Sequence, residues 1–233
     1  MKNQVILYEK KFTYYCMKKI IYMVRDYIEV YNYDIYMDLI NNKYIDYLNS
    51  LEVYVVSGGG VSSNYMNSYL ARKGIVVGER DSVYGWNLCH SKVPLTNKPK
   101  TLYIYGDWEN AIYSQAKRNL IQRNSNKIHN CQNTTDDNLK HYLKIYDKDP
   151  YGLREQYKNF ITHENTYYLK YPYTKDDVQK VLKEMGFFFE TDDFEIKPRT
   201  IHNTKVLNII DKIINVYKKH DPYEKLCVLK SSV

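Results

Sequence analysis

The sequence predicts an α/β protein in which a central, mostly parallel sheet lies between two layers of helices. This is a three-layer α/β/α arrangement, here with a helical N-terminal extension. Apolar strand-like runs alternate with helix-patterned segments, which is typical of a parallel sheet. The run at residues 53–56 ends at three consecutive glycines and passes directly into a helical pattern. The chain has 233 residues and is 44% hydrophobic, which suffices for one domain with a buried core.

That single domain has three predicted parts. Residues 1–50 are helical, with Tyr14, Ile21 and Val24 recurring at helical spacing. Residues 51–190 are the α/β core, and residues 191–233 are a basic loop and an amphipathic C-terminal helix. Strands are predicted at residues 51–56, 75–77, 102–105 and 167–169. Helices are predicted from the glycines to Gly74 and at residues 109–123, 136–147, 151–162, 176–185 and 204–219, with a polar loop at 124–135 and irregular chain at 187–200.

The composition limits the classes of partner. The net charge is +7, which favours a polyanionic ligand, and a nucleotide with several phosphates is sufficient. Nucleic acid is disfavoured because the chain has no dense block of Lys or Arg, and a solvated basic surface stays an open alternative. The 27 tyrosines follow no spacing rule and are typical of A/T-rich coding, as in some viruses or parasites.

Cysteine usage and hydropathy predict an intracellular protein with reduced thiols. The four cysteines are scattered and no signal peptide is recognised. No apolar run approaches the roughly 20 residues that span a bilayer, so no membrane association is expected. No His and Cys pair has a zinc spacing, so no metal is predicted. The expected location is the cytoplasm, or the virion if the source is viral.

The glycine turn, Gly58-Gly59-Gly60, is the strongest candidate for a binding site. A strand, a glycine-rich turn and a helix leave backbone N–H groups uncovered at a helix N-terminus, where an anion is favourable. No lysine precedes Ser62 or Ser63, so the GxxxxGK[ST] pattern is missing, which counts against a kinase or ATPase. A tight turn that binds nothing is the alternative interpretation.

Two further segments belong near the same edge of the sheet, because ligands of such sheets lie beyond the carboxyl ends of the strands. One is the strand, turn and helix at residues 101–114, which contains Gly106-Asp107 and places Ser114 on the second helical turn. The other precedes it and contains His90 in a predicted loop. A histidine at a ligand edge is a candidate general base.

Taken in this order, the segments resemble the P-loop sulfotransferase superfamily, over about residues 51–190. Members of that family have a P-loop NTPase-like topology and take a sulfuryl group from 3′-phosphoadenosine 5′-phosphosulfate (PAPS). Their 5′-phosphate loop, typically PKSGTT, resembles the glycine turn and the residues that follow it. His90 is similar in placement to the family's histidine base in a T-H-x-P-like segment. Residues 103–114 are similar to the 3′-phosphate element YxxRNPxDxxxS, with Ser114 at its serine.

The resemblance implies a donor site for PAPS and its product PAP, and His90 as the catalytic base. Gly59 stands where the family has a lysine, and Gly106 stands where it has an arginine. Arg118, and the pair Lys197 and Arg199 later in the chain, could supply the missing charge. The alternative is that these side chains only face solvent. The implied donor-binding residues are Gly58, Gly59, Gly60, Val61, Ser62, Ser63, Asn64, Ser114, Arg118, Lys197 and Arg199.

The expected function is transfer of a sulfuryl group from PAPS to a hydroxyl acceptor. His90 would take the acceptor proton, while amides and hydroxyls of residues 59–64 stabilise charge on the leaving phosphate. Trp86 and Trp108 flank the predicted cleft. The alternative function keeps the fold without catalysis: a nucleotide- or phosphate-binding protein, or a structural interaction protein.

Overall fold

The computed structural model describes residues 46–78, 89–92, 99–129, 138–195 and 208–223. These residues lie within one compact unit, Lys43–Val233. The predicted helices before residue 46, and the positions of Trp86, Lys197 and Arg199, lie outside them. Residues 46–50 are helical. The elements that follow are β1 (Val53–Ser57), α1 (Ser63–Arg72), β2 (Lys100–Tyr105), α2 (Trp108–Lys117), α3 (Ile121–Ile128), α4 (Asn138–Ile145), α5 (Leu153–Ile161), β3 (Thr166–Lys170), α6 (Lys175–Glu184) and α7 (Asn208–Lys219).

The described strands form a parallel sheet, as predicted, and their order is β1-β2-β3. Val53 pairs with Lys100 of β2 and, on its other side, makes a parallel bridge to Val77. The predicted strand at 75–77 therefore contributes a single bridge. The sheet extends from β1 in both directions, so a topological switch lies between β1 and β2. The turns after these two strands meet at its carboxyl edge.

Helices cover both faces of the sheet, which confirms an α/β fold. On one face, aliphatic side chains such as Val55, Leu102 and Leu169 join one buried cluster with residues of α1 and α6. On the other face, the Tyr103 ring stacks on Phe160 of α5, with ring centroids 5.0 Å apart. Both strand faces are therefore buried, which explains the near-continuous apolar runs in the sequence.

The predicted helix at 109–123 is wrong as a single element. The chain leaves the helix after Lys117, because Asn119 adopts a left-handed conformation and the Gln115 carbonyl accepts from both Arg118 N and Leu120 N. A separate helix, α3, begins at Ile121. It occupies the first part of the predicted loop at 124–135, because its polar residues Asn124, Ser125 and Asn126 are buried instead of solvated. Two of them are hydrogen-bonded: Asn124 Nδ2 donates to Gln115 Oε1, and Tyr142 OH donates to Asn126 Oδ1 at 2.8 Å.

The C-terminal helix α7 confirms the predicted amphipathic pattern over Asn208–Lys219. Its buried side chains, among them Ile210 and Ile214, form a second core cluster with residues of α2, α3 and α4. Tyr217 OH donates to Asp149 Oδ1 at 2.6 Å. The same carboxylate accepts from the backbone N–H groups of Arg154 and Glu155 in the first turn of α5. Asp149 thus caps α5 and fixes α7 to it.

His129, at the end of α3, is a buried histidine held in its neutral form. Its ring stacks on Tyr146 with centroids 4.2 Å apart. Its Nε2–H donates to the Pro150 carbonyl at 3.1 Å, while Nδ1 is buried without a hydrogen-bond partner. Burial lowers the pKa of His129 from 6.5, since a charged ring here would be poorly solvated. The Pro150 hydrogen bond and the carboxylates of Asp149 and Glu155 act in the opposite direction, and Lys92 acts with burial.

We expect the free energy of unfolding to fall as the pH falls below 6.5. The unfolded chain protonates this histidine near that pH, whereas the folded protein does so only at lower pH, so acid favours the unfolded state. Urea unfolding between pH 7.5 and 5 measures the slope. His129→Gln keeps a donor for Pro150 and should flatten it, while His141→Gln, at an exposed position on α4, should not. An unchanged slope in His129→Gln would contradict this account.

Candidate functional site

The candidate site is the carboxyl edge of β1, where the glycine turn leads into α1. Ser57, the last residue of β1, is fully buried. Its Oγ donates to Ser63 Oγ at 3.0 Å and accepts from the Gly59 N–H at 3.1 Å. The prediction that the glycine amides are uncovered is therefore wrong for Gly59, because Ser57 already provides its acceptor. This hydroxyl pair joins the last residue of β1 to the first residue of α1.

The three glycines allow the turn to lie against two neighbouring helices. A Cβ atom at Gly58 would lie 2.2 Å from Leu153 Cδ2, and one at Gly59 would lie 2.7 Å from Gln115 Oε1. A Cβ atom at Gly60 would lie 2.6 Å from the backbone of Ala111. Gly59 and Gly60 also have positive φ values, 93° and 76°, which a side chain would disfavour. Close packing and backbone conformation both require glycine here.

A buried polar network contacts the carbonyl side of the turn. It is formed by Gln115, Tyr151 and Asn124. The Gly58 carbonyl accepts from Gln115 Nε2 at 3.2 Å, and it also lies 3.2 Å from Tyr151 OH, whose one hydrogen is shared between this carbonyl and Gln115 Oε1. Gln115 Oε1 in turn accepts from Tyr151 OH and Asn124 Nδ2. Sequence reasoning missed these residues. One signal was available: Ala111 and Gln115 are four residues apart, so they lie on the same face of α2.

Helix α1 begins at the turn with its N-terminal backbone groups uncapped by side chains. Ser62, the residue before the helix, has φ 60° and ψ 19°, and its side chain makes no capping hydrogen bond. No acidic residue lies in the first turn. Ser63 is buried, whereas Ser62 and Asn64 are partly exposed. The positive end of this helix dipole thus has no negative charge of its own at the sheet edge.

The structure brings His90 to the same edge. Residues 89–92 run beside the end of β1: Ser57 N donates to the Cys89 carbonyl, and His90 Nδ1 donates to the Ser57 carbonyl at 2.9 Å. A carbonyl only accepts, so Nδ1 carries the hydrogen and Nε2 carries the lone pair of the neutral ring. The His90 side chain is buried. Gln156 Nε2 fixes the segment by donating to the Ser91 carbonyl at 2.8 Å.

The second turn, Gly106-Asp107, differs from the glycine turn in the charge at the start of the helix that follows it. Asp107 precedes α2 and Glu109 lies in its first turn, so this helix start carries its own carboxylates. Tyr223 lines the same cavity as Gly106, and the pKa of Tyr223 is raised chiefly by burial. Ser114 and Arg118 contact each other: Arg118 Nε donates to the Ser114 carbonyl at 3.0 Å. Gln115, the neighbour of Ser114 on α2, contacts the glycine turn, and a role for Ser114 and Arg118 in donor binding stays a prediction.

The two positions where the sequence resemblance predicts a basic side chain have no room for one. At Gly59 the Gln115 carboxamide fills the space that a side chain would need. At Gly106 a Cβ atom would lie 2.3 Å from the Tyr171 carbonyl oxygen. Neither backbone could carry a basic side chain without displacing its neighbours. Lys197 and Arg199 lie outside the described residues, so a contact from them stays a prediction.

Comparison with known proteins does not assign a function to this site. No family model, curated protein or solved structure matches this chain. Among the described residues, no three His, Cys, Asp or Glu side chains are grouped so that they could hold a metal ion. Over the same residues, no helix is both long enough and apolar enough to cross a membrane.

We expect Gly60→Ala to destabilise the protein more than Gly74→Ala. Both glycines have positive φ, so each substitution should cost about 1 kcal/mol in backbone strain. A Cβ atom at Gly74 meets nothing within 4 Å, whereas one at Gly60 overlaps α2 and should cost about 1–3 kcal/mol more. Urea unfolding measures both free energies. Equal losses would mean that the turn does not depend on its contact with α2.

Proposed function

We propose that the carboxyl edge of β1 binds the phosphate of a nucleotide, in a sulfotransferase-like α/β protein. The observation that carries this proposal is the start of α1, which follows the glycine turn without a side-chain cap and without an acidic residue in its first turn. Backbone N–H groups and the helix dipole favour an anion at such a position. A net charge of +7 would also attract a polyanionic ligand.

The contact is proposed for Val61 to Asn64 and not for the first two glycines. Gly58 and Gly59 are buried against Leu153 and Gln115, so their backbone is already engaged. Ser62 and Asn64 are partly exposed at the helix start. The residues present therefore fit a phosphate held by helix N–H groups and hydroxyls, without the lysine and arginine found in the family that the sequence resembles.

We expect Asn64→Asp to weaken binding of PAP without lowering stability. A carboxylate in the first turn of α1 interacts favourably with the helix dipole but repels a bound phosphate. Even about 1.4 kcal/mol of repulsion reduces affinity about tenfold. Calorimetric titration with PAP measures the affinity, and urea unfolding checks the fold. Ser68→Asp, at an exposed position one turn further along α1, is the matched control and should retain affinity.

The titration also separates the alternatives. Binding by the natural protein in the micromolar range, lost selectively in Asn64→Asp, would support the proposed phosphate site. An absence of binding at millimolar PAP would reject the phosphate site. The alternative function, that of a structural interaction protein, would then remain, and the close packing of the glycine turn favours it. Equal loss in both aspartate variants would indicate a general charge effect.

A second candidate function is sulfuryl transfer from PAPS to a hydroxyl acceptor, and the geometry of His90 favours it. Because Nδ1 donates to the Ser57 carbonyl, Nε2 is the nitrogen that could accept a proton. His90 would take the proton of the acceptor hydroxyl as that oxygen bonds to sulfur and the bond from sulfur to the phosphate oxygen breaks. The start of α1 would stabilise the negative charge that develops on the phosphate.

We expect His90→Asn to abolish transfer while leaving PAP affinity nearly unchanged. The asparagine amide can still donate to the Ser57 carbonyl, but it cannot act as a base, so the rate should fall roughly 100-fold or more. Transfer of labelled sulfate from PAPS to p-nitrophenol measures the rate. Transfer by the variant at the natural rate would remove His90 from the mechanism.

A further inference from the structure

A cavity of about 430 Å³ lies at the carboxyl ends of β2 and β3. We call it the Trp108 cavity. Three separate parts of the chain form its walls: the end of β2 with the first turn of α2, the last residue of β3, and the segment after α7. Its volume is within the usual range for sites that bind small molecules. Its lining residues are Tyr105, Gly106, Asp107, Trp108, Glu109, Lys170, Asp221 and Tyr223.

Aromatic rings that are fixed by their neighbours form part of the wall. The rings of Tyr105 and Tyr223 meet edge to face, with centroids 5.3 Å apart. Trp108 packs against Tyr217 of α7 at 5.6 Å, and Tyr217 is itself fully buried. Fixed rings cost little conformational entropy when a ligand binds. An aromatic face also attracts a cation through its quadrupole.

The charged groups of the lining are mainly negative, although the protein as a whole is basic. Three carboxylates, those of Asp107, Glu109 and Asp221, accompany one ammonium group, that of Lys170. Lys218 contacts Glu109, with Nζ and Oε1 3.1 Å apart. A phosphate here would be repelled by three carboxylates and attracted by a single ammonium group, whereas a cation would meet carboxylates and aromatic rings.

We propose that the Trp108 cavity binds a small organic cation, an ammonium or guanidinium group carried on an apolar body. The cationic head contacts the carboxylates, and the apolar body packs against Trp108 and the two tyrosines. This site is separate from the phosphate site at the start of α1 and does not depend on it. The two sites differ in sign because α1 starts without acidic residues, whereas α2 starts with two.

Three probes of similar shape test the charge preference of the cavity: benzylamine, benzyl alcohol and benzoate, titrated by calorimetry. We expect benzylamine to bind about tenfold more tightly than benzyl alcohol, since 1.4 kcal/mol of added electrostatic attraction is a tenfold difference. We expect no binding of benzoate at the same concentrations. Absence of benzylamine binding, or benzoate binding of equal strength, would overturn the proposal.

Two asparagine substitutions locate the site without removing the hydrogen bonds of the native side chains. Asp107 Oδ1 accepts from Asn110, and Asp221 Oδ1 accepts from Tyr223 N. Asparagine retains an oxygen for both. Asp107→Asn with Asp221→Asn should weaken benzylamine binding at least tenfold and leave benzyl alcohol binding unchanged. Glu164→Gln, in the turn before β3 and not part of the lining, is the control. Unchanged benzylamine affinity in the double variant would overturn the proposal.

Discussion

The backbone of the turn after β1 lies directly against helix α2, and the whole carboxyl edge depends on that contact. Gly59 faces the carboxamide of Gln115, and Gly60 faces the backbone of Ala111. Gln115 and Tyr151 then hold the Gly58 carbonyl from the buried side. A larger residue in the turn would displace α2, and α2 also contributes Ile112 to the core that contains α7. The glycines therefore couple the sheet edge to the second core cluster.

The same contact defines what the edge can bind. It leaves no room for a side chain at Gly59, and the close approach of Gly106 to Tyr171 has the same effect at the next turn. Helix α1 starts at this edge without a side-chain cap, and the His90 ring is hydrogen-bonded to the Ser57 carbonyl at the end of β1. Around α2 the sign is reversed, because Asp107 and Glu109 are at the helix start. Two neighbouring helix ends thus offer opposite electrostatic environments within one sheet edge.

Much of the fold could be predicted because its signals are local. Apolar strand-like runs that alternate with helical patterns indicated a parallel sheet, and the 3.6-residue pattern of residues 204–219 indicated the helix observed as α7. The boundary between α2 and α3 was missed although Asn119 follows the C-cap of α2 in a left-handed conformation, which asparagine adopts more readily than most residues. The buried residues Asn124, Ser125 and Asn126 were assigned to a loop because polar runs are usually solvated. Their burial depends on partners such as Gln115 and Tyr142, which lie elsewhere in the chain.

The sequence by itself determined the order of strands and helices, the glycine turn at the end of β1 and the excess of positive charge. Hydrophobic periodicity and glycine content are enough for this, since both act through near neighbours in the chain. Only the tertiary structure decided that the Gly58 carbonyl of this turn is hydrogen-bonded to side chains within the protein. Gln115 and Tyr151 are 57 and 93 residues from Gly58, and no local pattern specifies that they meet its carbonyl. The orientation of His90 was decided in the same way, because the carbonyl that fixes its ring belongs to a strand that ends 33 residues earlier.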